Sequence, residues 1–361
     1  MRVKGGREML ESVSIKRFRG FENLEIDSLE RFNLILGRNN TGKTALLEAI
    51  FLLQGPTNPE LPLTLNAMRG VDQFRNDSEE LWGWLFHKKM TDGNILLEAR
   101  TGAGKSRTLN ITLEPTREIK KRVLKKGRSQ PPSMISTSSA RTDLRLKYRD
   151  ESNEQYVTRA SIRDAGIAYD REKTIKYPET IFITAKLAHV AENSQRWSKL
   201  EEIGQAVNLI PYLKHLDPRL QRLTVLVTGM GPILHADIGI GRMVPLPFMG
   251  EGIGRVLTIL LAIAECQNGL VLIDEFDNGL HYSVLTEAWR AVAEYSRKQN
   301  AQIIATSHSW ECVRAAHSSF ADTSHYDFRL HRIESANDST SMVSYDKNTL
   351  DAALETGVEV R

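Results

Sequence analysis

Apolar and polar positions alternate over Leu10–Phe18 and again over Phe21–Ile26, with Arg19-Gly20 between the two runs. A period of two predicts a pair of strands joined as a hairpin. Phe32–Leu36 is a short apolar run with strand character, and Ala45–Leu53 is rich in strong helix formers with a wide apolar face. Gly55-Pro-Thr-Asn-Pro59 ends that helix. Residues 78–90 carry Leu81, Trp82, Trp84, Leu85 and Phe86, which predicts a short helix packed on the core. Asn94–Ala99 and Arg107–Leu113 both read as strands. Residues 186–222 read as helix, broken at Pro211 and Pro218. Leu223–Asp237 reads as two strands around a glycine turn. Then come a helix over Ile253–Cys266, a buried strand over Val271–Ile273, a helix over Ser283–Gln299 and a strand over Ala301–Thr306. That alternation predicts a parallel sheet with helices on its faces.

The chemistry begins where the third strand meets the first helix. Gly37-Arg-Asn-Asn-Thr-Gly-Lys-Thr44 matches the phosphate-loop pattern G-x-x-x-x-G-K-[ST] in full, in the strand–loop–helix context the pattern requires. Backbone N–H groups of such a loop, with the free N–H groups at the helix start, point at phosphate oxygens. Lys43 supplies positive charge to the β- and γ-phosphates, and the Thr44 hydroxyl can ligate magnesium. The bland alternative is an ordinary glycine turn before a helix, which leaves the Lys-Thr pair unexplained. Gly102-Ala-Gly-Lys-Ser106 imitates the end of a second loop. Its first glycine is missing and a strand follows it, so the segment predicts a hairpin with a glycine turn.

Far along the chain, Leu270-Val-Leu-Ile-Asp-Glu275 sets two acids after four apolar residues. The carboxyl end of a strand is where ligands sit in open α/β sheets. Asp274 there can hold magnesium, and Glu275 can orient or deprotonate an attacking water. His308 follows the last predicted strand, where an imidazole can reach the γ-phosphate. A lone histidine is more often structural, and the others in the chain are read that way. The acid pair could equally be surface residues at a strand end, were there no phosphate loop.

Composition narrows the class without naming a partner. The 361 residues are 41% hydrophobic and 26% charged, with net charge +3, as in a globular chain of one large domain or two ordinary ones. No apolar run approaches the roughly 18 residues that span a bilayer, and the first residues lack the apolar stretch of a secretory signal. Met9 could be the natural start. Cys266 and Cys312 form no C-x-x-C pair, which points to a reducing setting without structural zinc. Positive charge concentrates in residues 115–150, around Lys120-Lys-Arg122 and Lys125-Lys126. That segment reads as weakly ordered, either a solvated loop or a contact for nucleic acid or a partner.

The phosphate loop with its Asn39-Asn40 pair, preceded by Ile15-Lys-Arg-Phe-Arg-Gly-Phe21, resembles the OLD-like, RecF-like and SMC-like branch of the ABC-type ATPases. Asp274-Glu-Phe-Asp-Asn-Gly-Leu-His281 is similar to the Walker B and D-loop of that branch, and Thr306-Ser-His308 to its switch histidine. Met249-Gly-Glu-Gly-Ile-Gly-Arg255 resembles its signature motif. The match covers about 9–54 and 245–315 and is weak between them. It implies an α/β P-loop NTPase, an ABC-type head with an N-terminal antiparallel β-subdomain and a helical insertion. The expected parts are an N-terminal half at 9–115, a basic segment and helical insertion at 116–222, and a C-terminal half at 223–350.

The same resemblance implies the site. Gly37, Arg38, Asn39, Asn40, Thr41, Gly42, Lys43, Thr44 and Ala45 would bind ATP, Thr44 and Asp274 would hold Mg2+, and Glu275, His308 and Lys43 would be catalytic. Two heads would sandwich two ATP molecules, with Gly250, Gly252 and Arg255 serving the γ-phosphate bound by the opposing head. Gly250 stands where the family often has serine, so a hydroxyl contact is missing. Gln54 and Gln73 are the candidates for a glutamine lid. OLD-type nucleases add a metal-dependent C-terminal domain, whereas residues 309–361 carry Asp322, Asp327, Asp338, Asp346 and Asp351 in no compact acidic motif. A stand-alone cytoplasmic ATPase is therefore expected, forming a homodimer or higher oligomer on ATP. It would control a separate nuclease-like or toxin-like effector in defence against phage or foreign DNA, with DNA as a candidate ligand and no membrane. The rival readings are a DNA repair or maintenance ATPase of the RecF/SMC type and an ATP-dependent assembly scaffold. A transporter's energy-coupling subunit fits neither the signature nor the long insertion.

Overall fold

The computed structural model describes residues 9–71, 78–116, 142–185, 190–321, 323 and 326–356, except 103, 164–165, 172–174, 176, 178, 230 and 337–338. The chain opens with strands β1 (Leu10–Phe18), β2 (Phe21–Ile26) and β3 (Phe32–Leu36), then helices α1 (Lys43–Gln54), α2 (Leu61–Met68) and α3 (Ser78–Trp82). Strands β4 (Ile95–Thr101), β5 (Ser106–Pro115), β6 (Thr142–Arg149), β7 (Gln155–Arg163), β8 (Gly166–Arg171) and β9 (Thr180–Ile183) follow. Next come α4 (Val190–Glu202), α5 (Ile210–Leu213), β10 (Arg222–Thr228), β11 (Gly231–Asp237), β12 (Val244–Pro245) and α6 (Glu251–Glu265). The chain continues through β13 (Leu270–Ile273), α7 (Leu285–Gln299), β14 (Gln302–Thr306), α8 (Trp310–Ala321), β15 (Phe328–Ala336), β16 (Ser339–Tyr345) and α9 (Lys347–Thr356).

A six-stranded sheet in the order β16-β15-β3-β14-β13-β9 forms the wall between two apolar cores. Its strands are parallel except for the β15–β16 hairpin. Successive residues of a strand point to opposite faces. Phe32, Leu34, Val271, Ile273, Ile303 and Ala305 therefore enter one core, while Ile35, Leu270, Leu272 and Ile304 enter the other. Burial on both faces is why these strands read as unbroken apolar runs rather than alternating ones.

On the first side lie α6, α7 and α8, sealed by Trp289, which stacks on Phe276 with ring centroids 3.8 Å apart. On the second lies α1, nearly all of it buried, capped by a seven-stranded antiparallel sheet in the order β2-β1-β4-β5-β6-β7-β8. The N-terminal hairpin pairs as the alternation requires, with Phe18 opposite Phe21. The decoy Gly102–Ser106 is the turn of the β4–β5 hairpin, Arg100 facing Ser106.

The stretch 116–222 departs from the expected helical insertion. Residues 142–171 supply β6, β7 and β8 to the N-terminal sheet, and β9 is the edge strand of the central sheet beside β13. Among the described residues there, only α4, α5 and a short 3-10 turn over Ala206–Leu209 are helical. Most of the basic segment, residues 117–141, lies outside the described residues; its end, 142–149, is strand β6. Among the described residues no helix is long and apolar enough to cross a membrane.

Candidate active site

The phosphate loop leaves β3 at Leu36 and enters α1 at Lys43. Gly42 sits at φ 99°, and a Cβ there would meet the Phe21 ring at 2.5 Å. Backbone conformation and close approach thus both demand glycine. Asn40 also adopts a positive φ, 64°, which asparagine tolerates better than most residues. Thr41 Oγ1 donates to the Arg38 carbonyl at 2.9 Å, bracing the loop from outside, and neither residue lines the cavity. Lys43 Nζ donates to the carbonyls of Gly37 (2.6 Å) and Arg38 (2.9 Å). Burial lowers the Lys43 pKa to about 8, against the opposing pull of Asp274 and then Glu275.

The fold closes the long gap in sequence. The Thr44 hydroxyl donates to Asp274 Oδ2 at 2.9 Å across 230 positions of chain. The other oxygen, Oδ1, accepts from Thr306 Oγ1 at 2.8 Å, and that same hydroxyl accepts the Glu275 N–H at 2.8 Å. Thr306 therefore ties the acid pair to β14, although its sequence context marks it only as part of the histidine motif. Glu275 has φ 52°, a left-handed conformation that costs a non-glycine residue about 1–3 kcal/mol unless its surroundings fix it. Here they do. Its N–H is held by Thr306 and its carbonyl accepts Arg255 Nη2 at 2.9 Å, while Phe276 is locked in the core by Trp289. The outcome is a carboxylate 3.8 Å from His308 Nε2. His308 is held below the ordinary histidine pKa, first by burial and then by the Lys43 ammonium.

A cavity of about 930 Å³ unites Asn39, Asn40, Gly42, Lys43, Thr44, Ala45, Glu275 and His308. The signature-like residues lie elsewhere. Gly250, with φ 96°, caps the N-terminus of α6 at the surface, and Gly252 packs beside the Gly279–Leu280 turn. Arg255 corrects the expected role. It is 3% exposed, and its guanidinium donates to the carbonyls of Thr184, Asp274 and Glu275. An arginine so engaged props the acid pair from within its own chain and does not present itself to another head. Gln54 is buried at the far end of α1 against Arg107, which removes it as a lid, and Gln73 lies outside the described residues.

Three further residues escaped the sequence reading because their relation is not local. Glu48, one turn along α1 from Thr44 and 1% exposed, pairs with Arg19 at 2.5 Å and with Arg69 through Nε at 2.6 Å and Nη2 at 3.0 Å. Both arginines line the cavity. Burial draws the Arg19 pKa down to about 10, with Glu48 the chief opposing charge. Glu48→Gln leaves Arg19 buried without its counter-charge, so stability is expected to fall by about 3–5 kcal/mol. A urea midpoint equal to that of the wild type would show that the pairing contributes nothing.

The model of the family described as "AAA domain, putative AbiEii toxin, Type IV TA system" matches residues 32–313, which is most of the chain. The chain belongs to this family. An "ATP/GTP phosphatase" of Helicobacter pylori (strain ATCC 700392 / 26695) is 24% identical over 330 residues, spanning 84% of this chain and 86% of that protein. The DNA replication and repair protein RecF of Listeria welshimeri is 48% identical, but over only 44 residues, 12% of each chain. Among solved structures, the Smc head bound to the C-winged helix domain of ScpA has a TM-score of 0.47 at 13% identity, covering 96% of this chain and 99% of that one. The SMC head domain from Thermotoga maritima has 0.45 at 12%, covering 93% and 99%. Family membership and site geometry together make the chain a P-loop nucleotide hydrolase of the AAA type, on an α/β fold.

Proposed function

We propose that the protein is an ATP-binding and ATP-hydrolysing head that dimerises on ATP and controls a separate effector in defence against foreign DNA. The observation that carries the hydrolytic part is the convergence of Lys43, Thr44, Glu275 and His308 on one cavity, with Asp274 hydrogen-bonded to Thr44. Lys43 and the loop N–H groups hold the β- and γ-phosphates. Glu275 orients a water and takes its proton as the new P–O bond forms on the γ-phosphorus and the bond to the β–γ bridging oxygen breaks, the diphosphate leaving with that oxygen, while His308 steadies the γ-phosphate side.

The donor set fits a magnesium ion. Thr44 Oγ1 and Asp274 Oδ2 lie 2.9 Å apart, both hard oxygens at the mouth of the phosphate loop. When bound, the metal neutralises charge on the phosphate oxygens. Thr306 holds the other Asp274 oxygen, which fixes the direction in which the carboxylate faces.

Dimerisation is supported by the exposed α6 N-terminus at Gly250, a set of backbone N–H groups away from the chain's own cavity. The family description, with its toxin and toxin–antitoxin terms, supports an effector and a defensive role. Glu275→Gln, which preserves the ATP-bound state, is expected to elute as a dimer by light scattering when ATP and magnesium are present and as a monomer without them. A single mass under both conditions would refute ATP-linked dimerisation.

A further inference from the structure

Besides the phosphate-loop residues, the cavity is lined by Trp84, Phe86, Lys88 and Lys89. The sequence pattern places Trp84 in the core with its neighbours. The structure does not. Leu81, Trp82, Leu85 and Phe86 are all buried, whereas Trp84 is 60% exposed and lines the cavity. The indole stays outside a core that takes its neighbours Leu81, Trp82, Leu85 and Phe86.

Its position is firmly set. Arg19 N–H donates to the Leu85 carbonyl at 2.8 Å, Phe18 bridges Phe86, and His87 Nδ1 lies 3.0 Å from the Arg19 carbonyl. These contacts bind the segment to the β1–β2 turn. Lys88 and Lys89 then adopt φ 51° and 57°, two successive left-handed residues that are not glycine. Such strain concentrates where a site over-determines the backbone. Its consequence here is geometric: the turn brings Lys89 Nζ over the Trp84 ring, 4.1 Å from the centroid. A cation over an indole face is a favourable contact, and a planar base takes the same face by stacking.

We propose that Trp84 is the stacking platform for the base of the bound nucleotide, with Lys89 covering its ring face until the base displaces it. This rests on the reading of the cavity as a nucleotide site, since phosphate-loop residues and Trp84 line the same cavity. Stacking uses a π-face that every base offers, so adenine and guanine nucleotides are both accepted.

The test compares ATP with inorganic tripolyphosphate, which has the phosphates and no base, by calorimetric titration of the full chain with magnesium. Trp84→Ala is expected to weaken ATP binding about 5- to 150-fold, the range for loss of one stacked base. Tripolyphosphate affinity stays at the wild-type value, and Trp84→Phe restores most of the ATP affinity. Unchanged ATP affinity in Trp84→Ala, with both ligands weakened in Lys43→Ala, overturns the base subsite and leaves the phosphate site standing. Equal loss of both ligands in Trp84→Ala also overturns it, because the residue would then serve the cavity in general. Failure of the wild type to bind either ligand overturns the nucleotide site itself.

Discussion

Lys43→Ala is expected to weaken ATP binding about 10- to 150-fold, the loss of a charge-assisted hydrogen bond worth about 1.5–3 kcal/mol. The same side chain makes binding depend on pH. Burial lowers its pKa from 10.5 to about 8. Phosphate oxygens favour the charged ammonium, so ATP affinity falls as pH rises through about 8, and binding takes up a proton there. For stability, the unfolded chain binds the extra proton between about 8 and 10.5. The contribution is therefore complete above 10.5 and is lost as pH falls through about 8. Calorimetric titrations on either side of that pH check the binding claim. A flat profile in the wild type, or a sloped one that persists in Lys43→Ala, contradicts it.

Glu275→Gln is expected to slow hydrolysis about 10²–10⁴-fold, the usual contribution of a positioned general base. The reason to choose glutamine lies in the geometry. Thr306 and Arg255 hold the backbone of residue 275 through its N–H and its carbonyl, so the left-handed conformation does not depend on the carboxylate. The amide keeps shape and loses only the ability to take a proton. Nucleotide affinity is thus expected to survive while turnover falls. A parallel loss of affinity would point instead to a rearranged phosphate site.

Strands β3, β13 and β14 of the central sheet and the phosphate-loop motif were legible because their signals are local. Unbroken apolar runs mark strands buried on both faces, and the phosphate loop sets its lysine and threonine by spacing alone. The strands β6, β7 and β8 were hidden for the opposite reason. Arg145, Lys147 and Arg149 alternate with Leu144, Leu146 and Tyr148, a proper period of two, but the run closes a strongly basic stretch that reads as solvated. β9 is four residues long and has meaning only beside β13. The Arg19–Glu48–Arg69 pairing joins three elements with no sequence signal between them. The bonds of Arg255 to the carbonyls of Thr184, Asp274 and Glu275 are hidden in sequence, because spacing places a side chain on a helix and does not show which carbonyls await it.

Single-turnover phosphate release shows whether Lys43, Asp274 and Glu275 of one chain act together to hydrolyse nucleotide. Wild type and Glu275→Gln are loaded with ATP and magnesium to equal occupancy and followed side by side. Phosphate release by the wild type, slowed about 10²–10⁴-fold in the variant, is the expected result. Equal release from both proteins, or none from the wild type, would mean that these residues do not form a hydrolytic site.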